Sequence, residues 1–226
     1  MHDRSCPCPA LILVCKRPAL GHGKQRLAAR LGAVATLEMA ERLLDCALED
    51  LAQWPGARVI APDAATHCSW ARELLPDCLC LLQSAGNLGE RLNALDRQLR
   101  AAGERTLIFI GSDAPALTED DYRRVRSALG EVDSVLLAAR DGGVVLMASN
   151  RPWPDLAELP WSTPQLGESL ATACRQAGHS LQVCGESFDV DEPADLAWIR
   201  RALADDPRPA RQRLLATLAS LGEVCA

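Results

Sequence analysis

The decapeptide TLIFIGSDAP, residues 106–115, decides the fold, because it joins a short apolar run to a turn that carries an aspartate. Residues 106–110 are β-branched, aliphatic or aromatic, which is typical of a strand that is buried on both faces. The glycine, serine, aspartate and proline that follow end the strand abruptly. Ligands of open α/β sheets bind at the carboxyl ends of strands, where the Asp113 carboxylate would suit a divalent cation. The alternative is that Asp113 is a turn residue that caps nearby backbone groups.

Length and charge restrict the class of protein. The chain has 226 residues and a formal net charge of -6. This length favours a single α/β domain over residues 1–226, with a core at about 10–204 and a C-terminal helix at 208–221. The acidic balance argues against nucleic acid as a partner, and no apolar run approaches the length of a membrane span. The oligomeric state stays open.

The cysteines and the amino-terminal segment bear on location. The apolar run at residues 10–15 is too short for the core of a signal peptide, so we expect a cytoplasmic protein. Ten cysteines are present, and their spacing does not match the paired Cys-x-x-Cys pattern of zinc sites. We therefore expect free thiols that pack as small apolar groups.

A basic, glycine-containing loop follows the first predicted strand. The strand covers residues 10–15, and the sequence KRPALGHGKQRL at 16–27 combines two glycines with four Lys or Arg residues before a helical pattern. Glycines let backbone N–H groups approach an anion, and cationic side chains add charge and hydrogen bonds. The loop therefore predicts a phosphate site formed by Lys16, Gly21, Gly23, Lys24 and Arg26. A solvated basic loop is the alternative.

Two common phosphate motifs are excluded at this loop. A Walker A motif needs glycine where Pro18 stands and a hydroxyl residue where Gln25 stands. The dinucleotide-binding fingerprint needs a third glycine where Arg26 stands. The loop is therefore predicted to bind phosphates in another way.

Apolar runs and amphipathic stretches then alternate, which predicts right-handed βαβ units. Strands are predicted at 58–61 and 78–83, and helices at 36–54 and 71–75. A glycine-rich turn at 83–89 leads into a helix that should direct Leu88, Leu92, Leu95 and Leu99 inward. Gly86 and Asn87 at its start would contact a ligand, or they simply form a turn and a helix N-terminus.

The second half breaks this rhythm. Strands are predicted at 134–139 and 144–147, and Asp141, Gly142 and Gly143 between them are typical of a hairpin turn. The sheet should therefore be mixed, which separates the fold from a plain Rossmann domain.

Three later features bear on the site. Trp161 would line an acceptor pocket or would pack against the sheet. A helix should begin at Pro164 with Ser162 or Thr163 as its N-cap, and another at Pro193 with Asp191 or Glu192 as its cap. Alternatively, Asp189 or Asp191 lies opposite Asp113 and completes a divalent-metal site, because one carboxylate rarely holds a cation alone.

The sequence resembles the radical-SAM/selenodomain-associated transferase family, which is similar to MobA-like nucleotidyltransferases and GT-A glycosyltransferases. The resemblance rests on six motifs in order, namely Lys16-x-Pro18-x-x-Gly21-x-x-Lys24-x-Arg26-Leu27, Gly86-x-Leu88-Gly89-Glu90-Arg91, Gly111-Ser112-Asp113-x-Pro115-x-Leu117-Thr118, Asp141-Gly142-Gly143, Trp161-Ser162 and Asp189-x-Asp191-x-Pro193-x-Asp195-Leu196. It implies a three-layer α/β/α nucleotide-diphospho-sugar transferase (GT-A-like) fold. The sequence departs from the family at Gln25, at Val144 and at residues 137–139. These departures affect positions expected to contact the ligand and leave the metal carboxylates intact.

The leading hypothesis is a metal-dependent transferase that acts on a nucleotide or a nucleotide-sugar, either a nucleotidyltransferase or a glycosyltransferase. Lys24 and Asp113 would be catalytic, and Asp113 with Asp191 would hold Mg²⁺ or Mn²⁺. Substrate contacts are assigned to Lys16, Gly21, Gly23, Arg26, Gly86, Asn87, Ser112, Asp141, Gly142, Gly143 and Trp161. A Lys and an Arg after a glycine turn favour a triphosphate slightly. The hypothesis from another class is a non-catalytic nucleotide-binding or regulatory module.

Overall fold

The computed structural model describes residues 8–224, with side chains described as far as residue 221. Within this range the strands are β1 (Ala10–Cys15), β2 (Arg58–Pro62), β3 (Leu79–Cys80), β4 (Leu107–Ile110), β5 (Ser134–Ala139), β6 (Val144–Ser149) and β7 (Leu181–Ser187). The α-helices are α1 (Gln25–Leu31), α2 (Ala33–Gln53), α3 (Cys68–Leu74), α4 (Leu88–Ala101), α5 (Glu119–Ala128), α6 (Leu166–Gln176), α7 (Asp195–Ala202) and α8 (Pro209–Val224). None of these helices is both long enough and apolar enough to cross a bilayer.

The strands form one sheet in the order β3-β2-β1-β4-β6-β5-β7. All neighbours pair in parallel except β6, which is antiparallel to both β4 and β5. The predicted mostly parallel mixed sheet, with its hairpin at β5 and β6, is therefore confirmed. The strand order reverses between β1 and β4, and the loops that leave these strands diverge there. Ligands of open α/β sheets bind at such switch points.

Alternate residues of the strands face two apolar layers. On one face, Leu11 and Leu13 of β1 share a buried cluster with side chains of α2, α3 and α5. On the other face, Ile12 belongs to a buried cluster with side chains of α4 and α6. Helices therefore cover both faces of the sheet, and the fold has three layers.

A third apolar cluster extends the first helical layer outward. Leu27 of α1 packs there with Met39 of α2, Ile199 of α7 and Leu214 of α8, and Val190 belongs to the same cluster. All five side chains are buried. This packing brings the segment that follows β7 next to the helix that follows the basic loop.

Two predicted helix starts are wrong. Helix α6 begins at Leu166 with Gln165 as its N-cap, and not at Pro164. The reason is a tertiary contact, since the backbone at Pro164 packs directly on Gly142, where an added Cβ would lie 2.1 Å from the Pro164 carbonyl oxygen. Helix α7 begins at Asp195, and not at Pro193.

Two smaller predictions also need correction. Leu88 is 39% exposed and does not face inward, whereas Leu92, Leu95 and Leu99 are buried. Strand β3 has two residues where six were predicted, although the Gln83 amide N still donates to Pro62 O at 3.0 Å. The chain therefore stays beside β2 beyond the assigned strand.

Candidate active site

The basic loop after β1 is a tight turn that ends in a left-handed residue. Gly21 and Gly23 have φ of 75° and 73°, a backbone region that suits glycine. Lys24 has φ of 46°, which is uncommon for a residue with a side chain, and it is the N-cap of α1. The Gln25 side chain donates from Nε2 to Gly21 O at 3.0 Å. Gln25 thus fastens the loop in this conformation.

This geometry aims the Lys24 side chain across the switch point. Its Nζ lies 2.7 Å from Asp113 Oδ2 and 2.6 Å from Asp191 Oδ1, and the lysine side chain is only 14% exposed. The two carboxylates, 78 positions apart in sequence, are therefore close enough to share one cation. Burial alone would lower the pKa of Lys24, but the charges of Asp113 and Asp191 outweigh it, and the pKa is raised above its ordinary value.

Backbone contacts hold Asp113 in this position. It lies three positions after β4 ends, and its side chain folds back over Gly111, where an added Cβ would lie 2.8 Å from Asp113 Oδ1. The Val190 amide N donates to Asp113 O at 3.0 Å. The loop after β4 is thus joined to the segment after β7 next to the carboxylates.

The carboxylate of Asp189 is the most perturbed acid near Lys24. Burial, reinforced by the negative charges of Asp113, Asp141 and Asp191, raises the pKa of Asp189 to about 7. Negative charge therefore accumulates at this edge of the sheet beyond what the Lys24 ammonium neutralises. A hard divalent cation would relieve that repulsion.

The hairpin turn between β5 and β6 forms one side of the site. Asp141 Oδ1 accepts a hydrogen bond from the Gly143 amide N at 2.9 Å. Gly142 has φ of 92°, and its carbonyl oxygen accepts from the Gly167 amide N at 2.9 Å. The turn is therefore braced by the N-terminal end of α6, and the negative charge of Asp141 is close enough to contribute to the raised pKa of Asp189.

The start of α4 is built as a helix cap. Asn87 and Glu90 form a complete capping box, and Asn87 Nδ2 also donates to Ala157 O at 2.9 Å. Gly86 has φ of 109° and lies beside the Glu90 carboxylate. The Asn87 side chain thus makes one hydrogen bond as a donor and one as an acceptor, and the Asn87 backbone N–H donates to Glu90 Oε2 at 2.6 Å.

Trp161 packs in the second apolar cluster and donates from Nε1 to Leu156 O at 2.8 Å. Gly89 lies beneath it, and an added Cβ there would meet Leu156 O at 1.9 Å. Trp161 therefore packs against the sheet while it stays partly exposed, and its contact with an acceptor stays a prediction.

The remaining predicted residues are exposed or partly buried. Lys16 is exposed directly after β1, and Ser112 is partly buried beside Asp113. Arg26 is exposed, and its Nη1 lies 2.9 Å from Oε1 of Glu192, the residue after Asp191. The sequence indicates Glu192 only as a helix cap, and the spacing of 166 positions between Arg26 and Glu192 gives no local signal for this ion pair.

Comparison with solved structures identifies the fold. A Desulfovibrio desulfuricans protein described as a nucleotide-diphospho-sugar transferase matches with a TM-score of 0.85 and 20% identity, over 96% of this chain and 97% of that chain. A Mycobacterium tuberculosis protein in complex with manganese matches with a TM-score of 0.50 and 17% identity, over 88% of this chain and 100% of that chain. The predicted nucleotide-diphospho-sugar transferase fold is confirmed by these likenesses.

Sequence comparison then identifies the family. Residues 43–163 match the family described as an uncharacterized protein conserved in bacteria (DUF2064). Phosphoenolpyruvate guanylyltransferase from Sphaerobacter thermophilus is 31% identical over 183 residues, which cover 78% of this chain and 86% of that protein. The chain belongs to this DUF2064 family, and it is a homologue of the guanylyltransferase.

Proposed function

We propose that this protein is a metal-dependent nucleotidyltransferase that transfers a nucleoside monophosphate from a triphosphate to a small anionic acceptor. The observation that carries the proposal is the Lys24 ammonium, which bridges Asp113 and Asp191 behind a glycine-containing loop at the switch point of the sheet. Homology to a guanylyltransferase supports the nucleotidyltransferase reading over the glycosyltransferase one. From the six collinear motifs we further propose that the chain belongs to the radical-SAM/selenodomain-associated transferase family.

The donor set suits magnesium or manganese. Among the described side chains, no group of three or more His, Cys, Asp or Glu residues is arranged as a complete metal site. Mg²⁺ does not need such a cage, because it commonly binds one or two carboxylates and completes its octahedron with phosphate oxygens and water. Asp113 and Asp191 would supply the two carboxylates, and a bound cation would neutralise the charge that develops on the phosphates.

The chain's own groups would bind and orient the triphosphate. On binding, the Lys24 ammonium would leave the carboxylates for the phosphate oxygens, and the backbone N–H groups at Gly21 and Gly23 would face the same oxygens. An oxyanion of the acceptor would attack the α-phosphorus, and the bond between that phosphorus and the oxygen bridging to the β-phosphate would break. Pyrophosphate would leave with the bonding electron pair. Because an acceptor phosphate is already deprotonated, its attack needs no general base.

The name of the homologue suggests the first substrates to assay. The Sphaerobacter thermophilus protein is named for guanylyl transfer to phosphoenolpyruvate, so GTP with phosphoenolpyruvate is the first pair for this chain. A phosphorylated carboxylic acid fits the requirement for an acceptor that is already an oxyanion.

Pyrophosphate release over a panel of nucleoside triphosphates and acceptors, with Mg²⁺, Mn²⁺ or EDTA, tests the proposal. We expect turnover that requires metal, and a loss of roughly 100-fold or more in Asp113→Asn and Asp191→Asn, on the scale of removing one electrostatic group. Asp120→Asn is the matched control, because Asp120 is an exposed acid of α5 whose partner is Arg123.

Three outcomes would contradict the proposal. Release of a nucleoside diphosphate from sugar donors would establish the glycosyltransferase alternative. Binding of nucleotides without turnover of any pair would establish the non-catalytic module. Full activity in both Asp113→Asn and Asp191→Asn would refute the assignment of these two carboxylates as metal ligands.

A further inference from the structure

A buried group of charges lies behind the Asp113 loop, between α2 and α8. Arg211 of α8 is 0% exposed. Its guanidinium donates to Asp50 Oδ2 at 2.8 Å, to Glu49 Oε2 at 3.1 Å and to Cys46 O at 2.6 Å. All three acceptors belong to α2, so these bonds fix the guanidinium against that helix.

The same guanidinium also reaches the loop after β4. Arg211 Nε donates to Pro115 O at 3.2 Å, and Nη2 lies 3.5 Å from Leu117 O. Arg208 donates to Leu117 O at 2.8 Å and to Asp50 Oδ1 at 2.9 Å. Pro115 and Leu117 are buried, and a buried carbonyl that loses its hydrogen-bond donor is destabilising. The two arginines therefore supply donors that this loop would otherwise lack.

The anchored carbonyls belong to the segment that presents Asp113. Pro115 lies two positions after Asp113, and a further anchor of the loop is the hydrogen bond from the Val190 amide N to Asp113 O. Asp113 is therefore held between the segment after β7 and the arginines of the α8 region. Groups that orient a metal carboxylate tune metal affinity even though they never contact the metal.

We propose that Arg211 is a positioning residue, assisted by Arg208, which keeps the Asp113 carboxylate beside Asp191 by holding the carbonyls of the loop. The C-terminal helix thereby takes part in the site from behind. This inference rests on the proposed function, since a cation at Asp113 gives the position of the loop its chemical consequence.

Arg211→Lys tests the proposal with little change of charge. Lysine keeps the positive charge beside Asp50 and Glu49 but lacks the planar fork that reaches α2 and the loop together. We expect roughly tenfold weaker binding of Mn²⁺ alone and a roughly tenfold lower kcat, the lower end of the range for residues that orient metal ligands. The KM for the triphosphate at saturating metal should change by less than about twofold, because the phosphate loop is untouched.

Arg100→Lys is the matched control. Arg100 pairs with Asp96 at 2.8 Å and donates to Ser149 O and Arg151 O at 3.1 and 2.6 Å, at the opposite edge of the sheet from Asp113. It is thus an arginine that braces carbonyls without contact to the site. Arg100→Lys should lower Tm but leave Mn²⁺ binding and kcat at wild-type values.

Amide hydrogen exchange supplies a readout that does not need metal. Arg211→Lys should accelerate exchange at Leu117 and Val190, whose amides bond to Ala114 O and Asp113 O, and Arg100→Lys should not. Should Arg211→Lys not fold, Arg208→Gln is measured by the same criteria, because Arg208 is partly exposed and also holds Leu117 O.

The outcomes separate this proposal from the proposed function. A wild-type protein that shows no Mn²⁺ binding refutes the metal site, and the exchange rates then decide the positioning role alone. A folded Arg211→Lys protein with wild-type Mn²⁺ affinity and wild-type exchange at Leu117 and Val190 overturns the positioning role while the metal site stands.

Discussion

Replacing Lys24 by methionine tests the bridge between the two carboxylates. The Lys24 side chain is 14% exposed, whereas those of Asp113 and Asp191 are 36% and 51% exposed. Breaking a fully buried ion pair costs about 3–5 kcal/mol, and an exposed pair contributes at most about 1 kcal/mol. We therefore expect the metal-free variant to lose about 1–2 kcal/mol of unfolding free energy, or roughly 2–8 °C in Tm for a chain of this size.

The same variant should bind metal more tightly. In the wild-type protein the ammonium occupies the oxygens that a cation needs, so a metal ion must displace it. Without that competitor, the Mn²⁺ concentration at half-maximal stabilisation should fall, and the rise in Tm at saturating Mn²⁺ should exceed that of the wild type. Turnover should nevertheless fall by about 100-fold or more, because the triphosphate loses its ammonium partner.

Thermal unfolding in EDTA and across a Mn²⁺ titration measures both effects. Arg26→Met is the control for stability and metal response, since it removes a cation of the same helix from an ion pair whose side chains are 72% and 53% exposed. That pair should contribute less than about 0.5 kcal/mol. A Lys24→Met protein with the Tm of the wild type in EDTA and an unchanged Mn²⁺ midpoint would refute the reasoning.

Three further predictions concern stability, measured as the free energy of unfolding in denaturant. Gly142→Ala should lose about 3 kcal/mol, because alanine is strained at this positive φ and its Cβ would collide with Pro164 O. Gly103→Ala, which has a φ of 105° and open space around it, should lose only about 1 kcal/mol. Equal losses in the two variants would contradict the role of the contact with Pro164. Burial lowers the pKa of His179, so the unfolded chain binds a proton at this residue more readily than the folded chain. The free energy of unfolding should therefore decrease as the pH is lowered below about 6.5, and it should decrease less in His179→Gln. An unaltered pH dependence in His179→Gln would contradict this assignment. Asp50→Asn should lose about 3–5 kcal/mol because two arginines lose their shared carboxylate, and a loss below 1 kcal/mol would contradict the importance of that network.

Strands β1 and β5 were predictable because their signals are local. The runs at β1 and β5 are continuous and apolar, and the structure reproduces their bounds at Ala10–Cys15 and Ser134–Ala139. The capping box of α5, with Thr118 and Asp121, is equally local and is also present in the structure. Short-range chemistry of this kind depends little on the rest of the molecule.

The misplaced helix starts depend on contacts that no local pattern contains. The backbone before α6 is shaped by the approach of Pro164 to Gly142, so the predicted N-cap was overridden. At α7 the Asp195 carboxylate accepts from the amides of Asp191 and Glu192 at 2.9 and 2.7 Å, and the helix starts after them. The sequence predicted that Asp191 or Glu192 would cap the helix with its side chain. In the structure their backbone amides instead donate to the side chain of Asp195.

The site was partly predictable for the same reason. Parallel strands place their carboxyl ends at one edge, so the loop after β1 and Asp113 after β4 could be expected to meet. The sequence left Asp189 and Asp191 open, and only the packing of Val190 under α1 decides which of them contacts Lys24. Arg211 lies in an amphipathic helix with no motif, so its contact with the Asp113 loop had no signal in the sequence.

The most direct measurement is anomalous diffraction from crystals soaked with Mn²⁺ and a nucleoside triphosphate. We predict one manganese peak that is in contact with the carboxylates of Asp113 and Asp191, and a Lys24 ammonium that has moved onto the triphosphate. A bound triphosphate with Lys24 still bridging the two carboxylates, or with manganese located elsewhere, would contradict the assignment of this edge as the catalytic centre.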